Sequence, residues 1–157
     1  MHVFSRLTTA GQTIGLIIIG LVAGSLFGIR FGFDFTHYSP ATYLEVHQMA
    51  VHGLNDLLPV MGLAVLVIIV ALAFRARRRR SALALYLLAA FGVAVAGLVT
   101  RFLNQPINVE VMNWSAGAMP ADWEAIRQSW WTWHAVRLVA SVWAFAALLA
   151  AVFRDRA

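Results

Sequence analysis

The chain has no cysteine and no lysine, and charged residues make up only 12% of its 157 positions. Without cysteine there are no disulfides, thiolate nucleophiles, thiolate-bound zinc or iron–sulfur clusters, so any metal must be held by nitrogen and oxygen. Hydrophobic residues make up 61% of the chain and the mean hydropathy is +0.76. That leaves too little polar surface to coat a soluble globule. The composition is that of an integral membrane protein.

Four apolar runs stand out, at about residues 12–31, 54–74, 82–102 and 136–153. Each approaches the roughly 20 residues that a helix needs to cross a bilayer while satisfying its own backbone. They predict an all-α, four-transmembrane-helix bundle that uses residues 1–157 as a single domain. The first run is longer than a signal-peptide core and reads as a retained helix.

The net charge of +5 is carried by twelve arginines against seven acids. Five arginines fall within residues 75–80, and Arg6, Arg154 and Arg156 flank the termini. An even number of crossings puts all of these on one side, which the positive-inside rule makes cytoplasmic. Asp34, Glu45, Asp56, Glu110, Asp122 and Glu124 then lie on the other side. The arginine run reads as a topology anchor beside anionic membrane lipid, not as a nucleic-acid site. The expected location is the bacterial inner (plasma) membrane with both termini cytoplasmic.

Ser39 and Pro40 form a cap and first-turn pair, predicting a second helix unbroken over residues 40–74, with Pro59 as the position for a kink. At 1.5 Å per residue it would be on the order of 50 Å long, so its start stands above the hydrocarbon. The third helix is expected to end near Arg101 and Phe102, with an outer loop from Asn104. Pro120, Asp122 and Trp123 signal a long fourth helix over about 121–153. Helices two and four are thus extended on the extracytoplasmic side. Gly20, Gly24 and Gly28 form a ridge for close helix approach, inside the bundle or between subunits.

Two polar stripes carry the candidate chemistry. Glu45, Gln48, His52, Asn55 and Pro59 share one face of helix two, with Asp56 at its border. His47 points about 100° away from Gln48 and is expected to be a bystander. On helix four, Trp123, Arg127, Trp130, His134, Arg137 and Ser141 keep the same rhythm, so the two faces can oppose each other. Counting back from the cytoplasmic ends puts His52 and His134 about 33 Å and 29 Å along their helices, at similar depth. Arg101, Asn104 and Asn108 join them at that level.

Polar groups at this depth mark a functional site by default, and several readings stand side by side. His52, His134, Glu45 and Asp56 offer nitrogen and oxygen ligands for iron, copper or zinc. His52 and His134 can instead serve as axial ligands of haem b. A metal-free pocket with a histidine or carboxylate base is the third reading. In the fourth, ion pairs and hydrogen bonds form a structural network in a non-catalytic membrane subunit or a carrier of haem or another lipophilic ligand. Most of the tryptophans suit the membrane interface, whereas Trp130 suits the wall of a pocket for a flat aromatic or quinone-like molecule.

The stretches "RFLNQPINVEVMNW" and "PADWEAIRQSWWTWHAVR" follow the third apolar run. With Pro106 and Asn108 after helix three, and Trp123, Arg127, Trp130, His134 and Arg137 opening helix four, the chain resembles the anthrone oxygenase family of small four-helix membrane proteins. The resemblance implies oxygen-dependent oxidation of activated aromatic carbons, as in the fungal members that turn an anthrone into an anthraquinone. On that reading His52, His134 and Glu45 hold a metal or haem, Arg127 and Arg137 stabilise oxyanions, and Asn108 orients the substrate. A homo-oligomer is expected, because 157 residues enclose little interior for a large aromatic.

Overall fold

Two prolines decide where the long helices yield. The computed structural model describes residues 2–33 and 35–156, with side chains over 6–33 and 35–155. Asp34 and the side chain of Arg156, both counted in the charge pattern above, lie outside the described residues. The helices are α1 (His2–Gly32), α2 (Pro40–Leu54), α3 (Leu57–Arg75), α4 (Arg80–Val99), α5 (Gln105–Met112) and α6 (Trp123–Arg156), with a π-helical turn (Thr100–Asn104) joining α4 to α5.

The segments Arg6–Gly32, Leu57–Arg75, Arg80–Met112 and Trp123–Asp155 are long and apolar enough to cross a membrane, and the protein is an integral membrane protein. Helix α2 stands outside these spans.

Ser39 caps α2 as expected, its hydroxyl accepting from the Thr42 amide with Pro40 in the first turn. The second helix is not continuous, however. It breaks at Asn55 and Asp56, because Pro59 has no N–H for the Asn55 carbonyl and its ring would crowd that oxygen.

The third helix runs past Phe102 to Met112, where a loop was expected. The difference again has a proline at its root. Just before Pro106 the backbone widens, and the Gln105 amide donates to the Thr100 carbonyl five residues back, which relieves the clash and lets the helix resume.

At the arginine-rich end, Gln12 donates to the Tyr86 hydroxyl at 2.9 Å and to Asp155 at 3.1 Å. Arg79 pairs with Asp155, and Arg75 donates to Thr8. These bonds bring the start of α1, the α3–α4 connection and the end of α6 to one end of the bundle.

Above them Ile19, Val65, Ile69, Tyr86, Ala89, Ala144 and Leu148 form the apolar core. Gly92 sets the closeness of α4 and α6: a Cβ there would lie 2.9 Å from the Ala140 carbonyl oxygen. The glycine ridge of α1 splits in two. Gly20 packs on Phe145, whereas Gly24 and Gly28 face open space.

Candidate functional site

At the end away from the arginine run, aromatic rings fill the space between α1, α2 and α6. Phe35, Tyr43, Trp130 and Trp131 are buried together, and His47 joins them at 1% exposure. The His47 ring meets Trp130 edge-on at 4.8 Å and Tyr43 at 5.4 Å between centroids. Burial pushes the His47 pKa down to about 4, with its hydrogen bond to Asn108 opposing in part. The imidazole is therefore neutral at pH 7. Burial also raises the Tyr43 pKa, with the charge of Arg127 opposing.

Asn108, on α5, ties this cluster together. The Trp130 indole N–H can only donate, so the oxygen it meets at 2.7 Å must be Asn108 Oδ1. That fixes the amide. His47 Nε2 then donates to the same oxygen at 3.3 Å, and Asn108 Nδ2 donates to Asn55 Oδ1 at 3.0 Å. His47 Nδ1 is left buried with no partner. Asn104 donates to the Trp130 carbonyl and holds the α5 side of the site against α6.

One turn deeper on α6, His134 is fully buried and stacks flat on Trp130, with ring centroids 4.9 Å apart at 15°. Its two nitrogens are both committed. Arg137 can only donate, so the 3.0 Å contact makes His134 Nδ1 the acceptor, and Nε2 donates to the Leu26 carbonyl at 3.0 Å. Arg137 itself is 8% exposed and touches Thr100 Oγ1 at 3.4 Å. No carboxylate pairs with it among the described residues. Its Nε and the hydroxyl of Ser141, four residues on, are buried without partners.

Arg137, Ser141, Thr100, Trp130, Asn108 and Asn55 are polar residues in the wall of a cavity of about 870 Å³, with Asp56, Arg101 and Gln105 at its edge. The rest of the wall is mostly aliphatic, from Ile19, Val22, Leu26 and Ile29 of α1, Leu58 and Leu66 of α3, and Val93 of α4. The volume falls within the range of roughly 300–1,000 Å³ typical of small-molecule sites.

The expected residues thus separate into two groups. Trp130, Asn108 and Arg137 line the cavity, and His134 holds Arg137 from behind. Arg127 does not line it. Its guanidinium donates to the Phe35 carbonyl at 3.1 Å and covers the Trp123 ring, pinning the connection between α1 and α2. Glu45, His52 and Asp56 are exposed, and only Asp56 borders the cavity.

The order of the two α2 histidines is the reverse of the expectation. His47 is inside and His52 outside, because α2 turns its Tyr43–Leu44–His47 side to the bundle. Of the polar stripe, Gln48 and Asn55 reach partners among the described residues. Gln48 donates to the Val111 and Trp114 carbonyls.

The donors for iron, copper or haem b do not converge. Among the described residues no three of His, Asp and Glu stand together as a metal site. Both ring nitrogens of His134 are occupied, and His52, Glu45 and Asp56 are exposed. The four residues expected as ligands do not fit such a group.

A family model described as anthrone oxygenase matches residues 48–147, the greater part of the chain. The chain belongs to the anthrone oxygenase family. Neither a curated protein nor a solved structure matches it. The anthrone oxygenase match spans every polar residue of the cavity wall and His134 behind it, while His47 falls one residue outside.

The signals for the overlooked residues were present. Tyr43, His47, Val51 and Leu54 recur at helical spacing, which marks an inward face. Thr100 is a small polar residue inside an apolar run, and it meets Arg137 from the turn after α4.

Proposed function

We infer that the protein is a membrane-embedded oxygenase that oxidises an enolisable aromatic compound with a flat, apolar body, using dioxygen. The observation carrying this reading is the buried Arg137 guanidinium, which no carboxylate among the described residues pairs, facing a largely apolar cavity beside the Ser141 hydroxyl. A substrate carbonyl oxygen placed there accepts from both groups. In a site of low polarity that contact favours the enolate over the ketone, because the charge develops where fixed donors already point.

The enolate carbon is electron-rich and reacts with dioxygen, which favours apolar surroundings. The methylene proton passes to water and is returned in the water released, so for an anthrone the sum is one ring methylene plus O2 giving one carbonyl plus water. His134 serves by holding Arg137 through Nδ1 and wedging Trp130 against the cavity, and the Trp130 ring offers a flat wall for an aromatic ligand. The Arg75–Arg80 end faces the cytoplasm in this reading, by the excess of arginine there.

Oxygen uptake by the purified protein in lipid nanodiscs, with an anthrone as substrate, tests the reading. Arg137→Gln is expected to lower turnover by about 10²–10³-fold, as for loss of one oxyanion donor. Turnover at the wild-type rate in a folded Arg137→Gln variant sinks the role of Arg137. Tight binding with no oxygen uptake by the wild type makes the protein a carrier of lipophilic ligands instead.

A further inference from the structure

The cavity opens sideways. Helices α3 and α4 are joined by the short connection between Arg75 and Arg80, and toward their other ends both line the cavity. There Val60 and Leu63 of α3 and Leu98 of α4 line the cavity while being 66%, 64% and 58% exposed. A residue that does both stands at a mouth, and these three lie on the flank of membrane-spanning segments. The mouth faces hydrocarbon.

Arg101 stands at the rim of the same opening. It is exposed, lines the cavity, and its guanidinium has no carboxylate, hydrogen-bond or ring partner among the described residues. It follows Thr100, the residue that Arg137 touches from inside. Counted from Arg80 it lies about 30 Å along the span, at the level of the headgroups on the far side. A bare guanidinium on a membrane flank is costly unless it reaches water or an anion. Asp56, the one carboxylate in the lining, pairs with neither arginine.

We propose that the ligand is an acidic amphiphile that enters from the membrane between α3 and α4, with its apolar body in the cavity and an anionic oxygen group on Arg101. This deepens the oxygenase reading and rests on it for the use of the cavity. It gives the two cavity-lining arginines, which lack a carboxylate among the described residues, separate tasks: Arg137 meets the oxygen that becomes charged during reaction, and Arg101 meets one that is charged on arrival. The planar guanidinium fork suits a carboxylate or phenolate in two-point contact.

The probes are anthracene-9-carboxylate and the neutral 9-hydroxymethylanthracene, titrated into the protein in phosphatidylcholine nanodiscs and read by tryptophan-to-anthracene energy transfer. The wild type is expected to bind the acid about tenfold more tightly than the alcohol, as for one charge-assisted contact. Arg101→Gln should remove that preference and leave the affinity for the alcohol unchanged, while Arg101→Lys keeps part of it.

A preference that persists in Arg101→Gln overturns the assignment and leaves the cavity reading intact. Failure of both probes to bind the wild type overturns the cavity reading itself. In nanodiscs containing anionic phosphatidylglycerol the preference should be unchanged. Its loss there would assign Arg101 to lipid phosphate and overturn the proposal.

Discussion

Replacing His47 by alanine should unsettle the whole upper half of the bundle, whereas the same change at His52 should be almost silent. The His47 ring packs against Trp130, Tyr43 and Phe35, with centroids at 4.8, 5.4 and 6.4 Å, and donates to Asn108. Removing a buried ring of this size leaves a hole worth about 2–4 kcal/mol, and the lost hydrogen bond adds about 1 kcal/mol. For a chain of this length each kcal/mol corresponds to roughly 2–4 °C, so the melting point in detergent or nanodiscs should fall by about 6–20 °C. His52→Ala changes an exposed side chain and should stay within about 0.5 kcal/mol.

Acid titration gives a second readout. The folded protein holds His47 neutral, with a pKa lowered from 6.5 to about 4, so the unfolded chain binds the proton more readily. The stability is therefore complete above about pH 6.5 and is lost as the pH falls toward 4, by on the order of 3 kcal/mol. His47→Ala should flatten that slope. Equal destabilisation by His47→Ala and His52→Ala, or an unchanged acid slope in the former, would refute the placement of His47.

Ser141→Ala removes a buried hydroxyl with no partner, so stability should hold or rise by about 1 kcal/mol while turnover drops roughly 10- to 100-fold. A fall in stability with normal oxygen uptake would show the hydroxyl to be structural. Gly92→Ala forces α4 away from the Ala140 carbonyl and should cost about 1–3 kcal/mol, while Gly24→Ala meets nothing within 4 Å and should cost nothing. Thermal melts of the two variants side by side decide this. Treatment with EDTA and a haem extractant should leave activity intact, and elemental analysis should find no stoichiometric iron or copper. Coincident loss of metal and activity would refute a reaction run by the chain's own residues.

The four spans were legible because 18-residue apolar windows obey a constraint that no packing detail overrides. Helix α6 was legible too. Trp130, His134, Arg137 and Ser141 follow one helical rhythm, and all four are buried. On α2 the same reasoning chose a face by its polar residues, although α2 lies outside the membrane spans, where water tolerates polar groups and the aromatic side turns inward. Glu45 and His52 consequently point away from the bundle. Helix continuity past Phe102 was hidden by Pro106, since sequence rules treat a proline as a stop and a π turn as rare. The metal expectation failed to find its donors for a related reason. Spacing along two helices sets which residues share a face, but not which partners occupy them, and Arg137 and the Leu26 carbonyl occupy His134.

The widened turn at Thr100–Asn104 has the geometry of a helix that has absorbed one surplus residue. Wound as an uninterrupted α-helix from α4 into α5, the same residues would turn everything beyond the fault by about 100°. Asn108 would swing away from Trp130, and with it the amide that His47 and Asn55 depend on. The smoother helix would be the inert one, so this fold keeps its working geometry through a local fault in its most regular element.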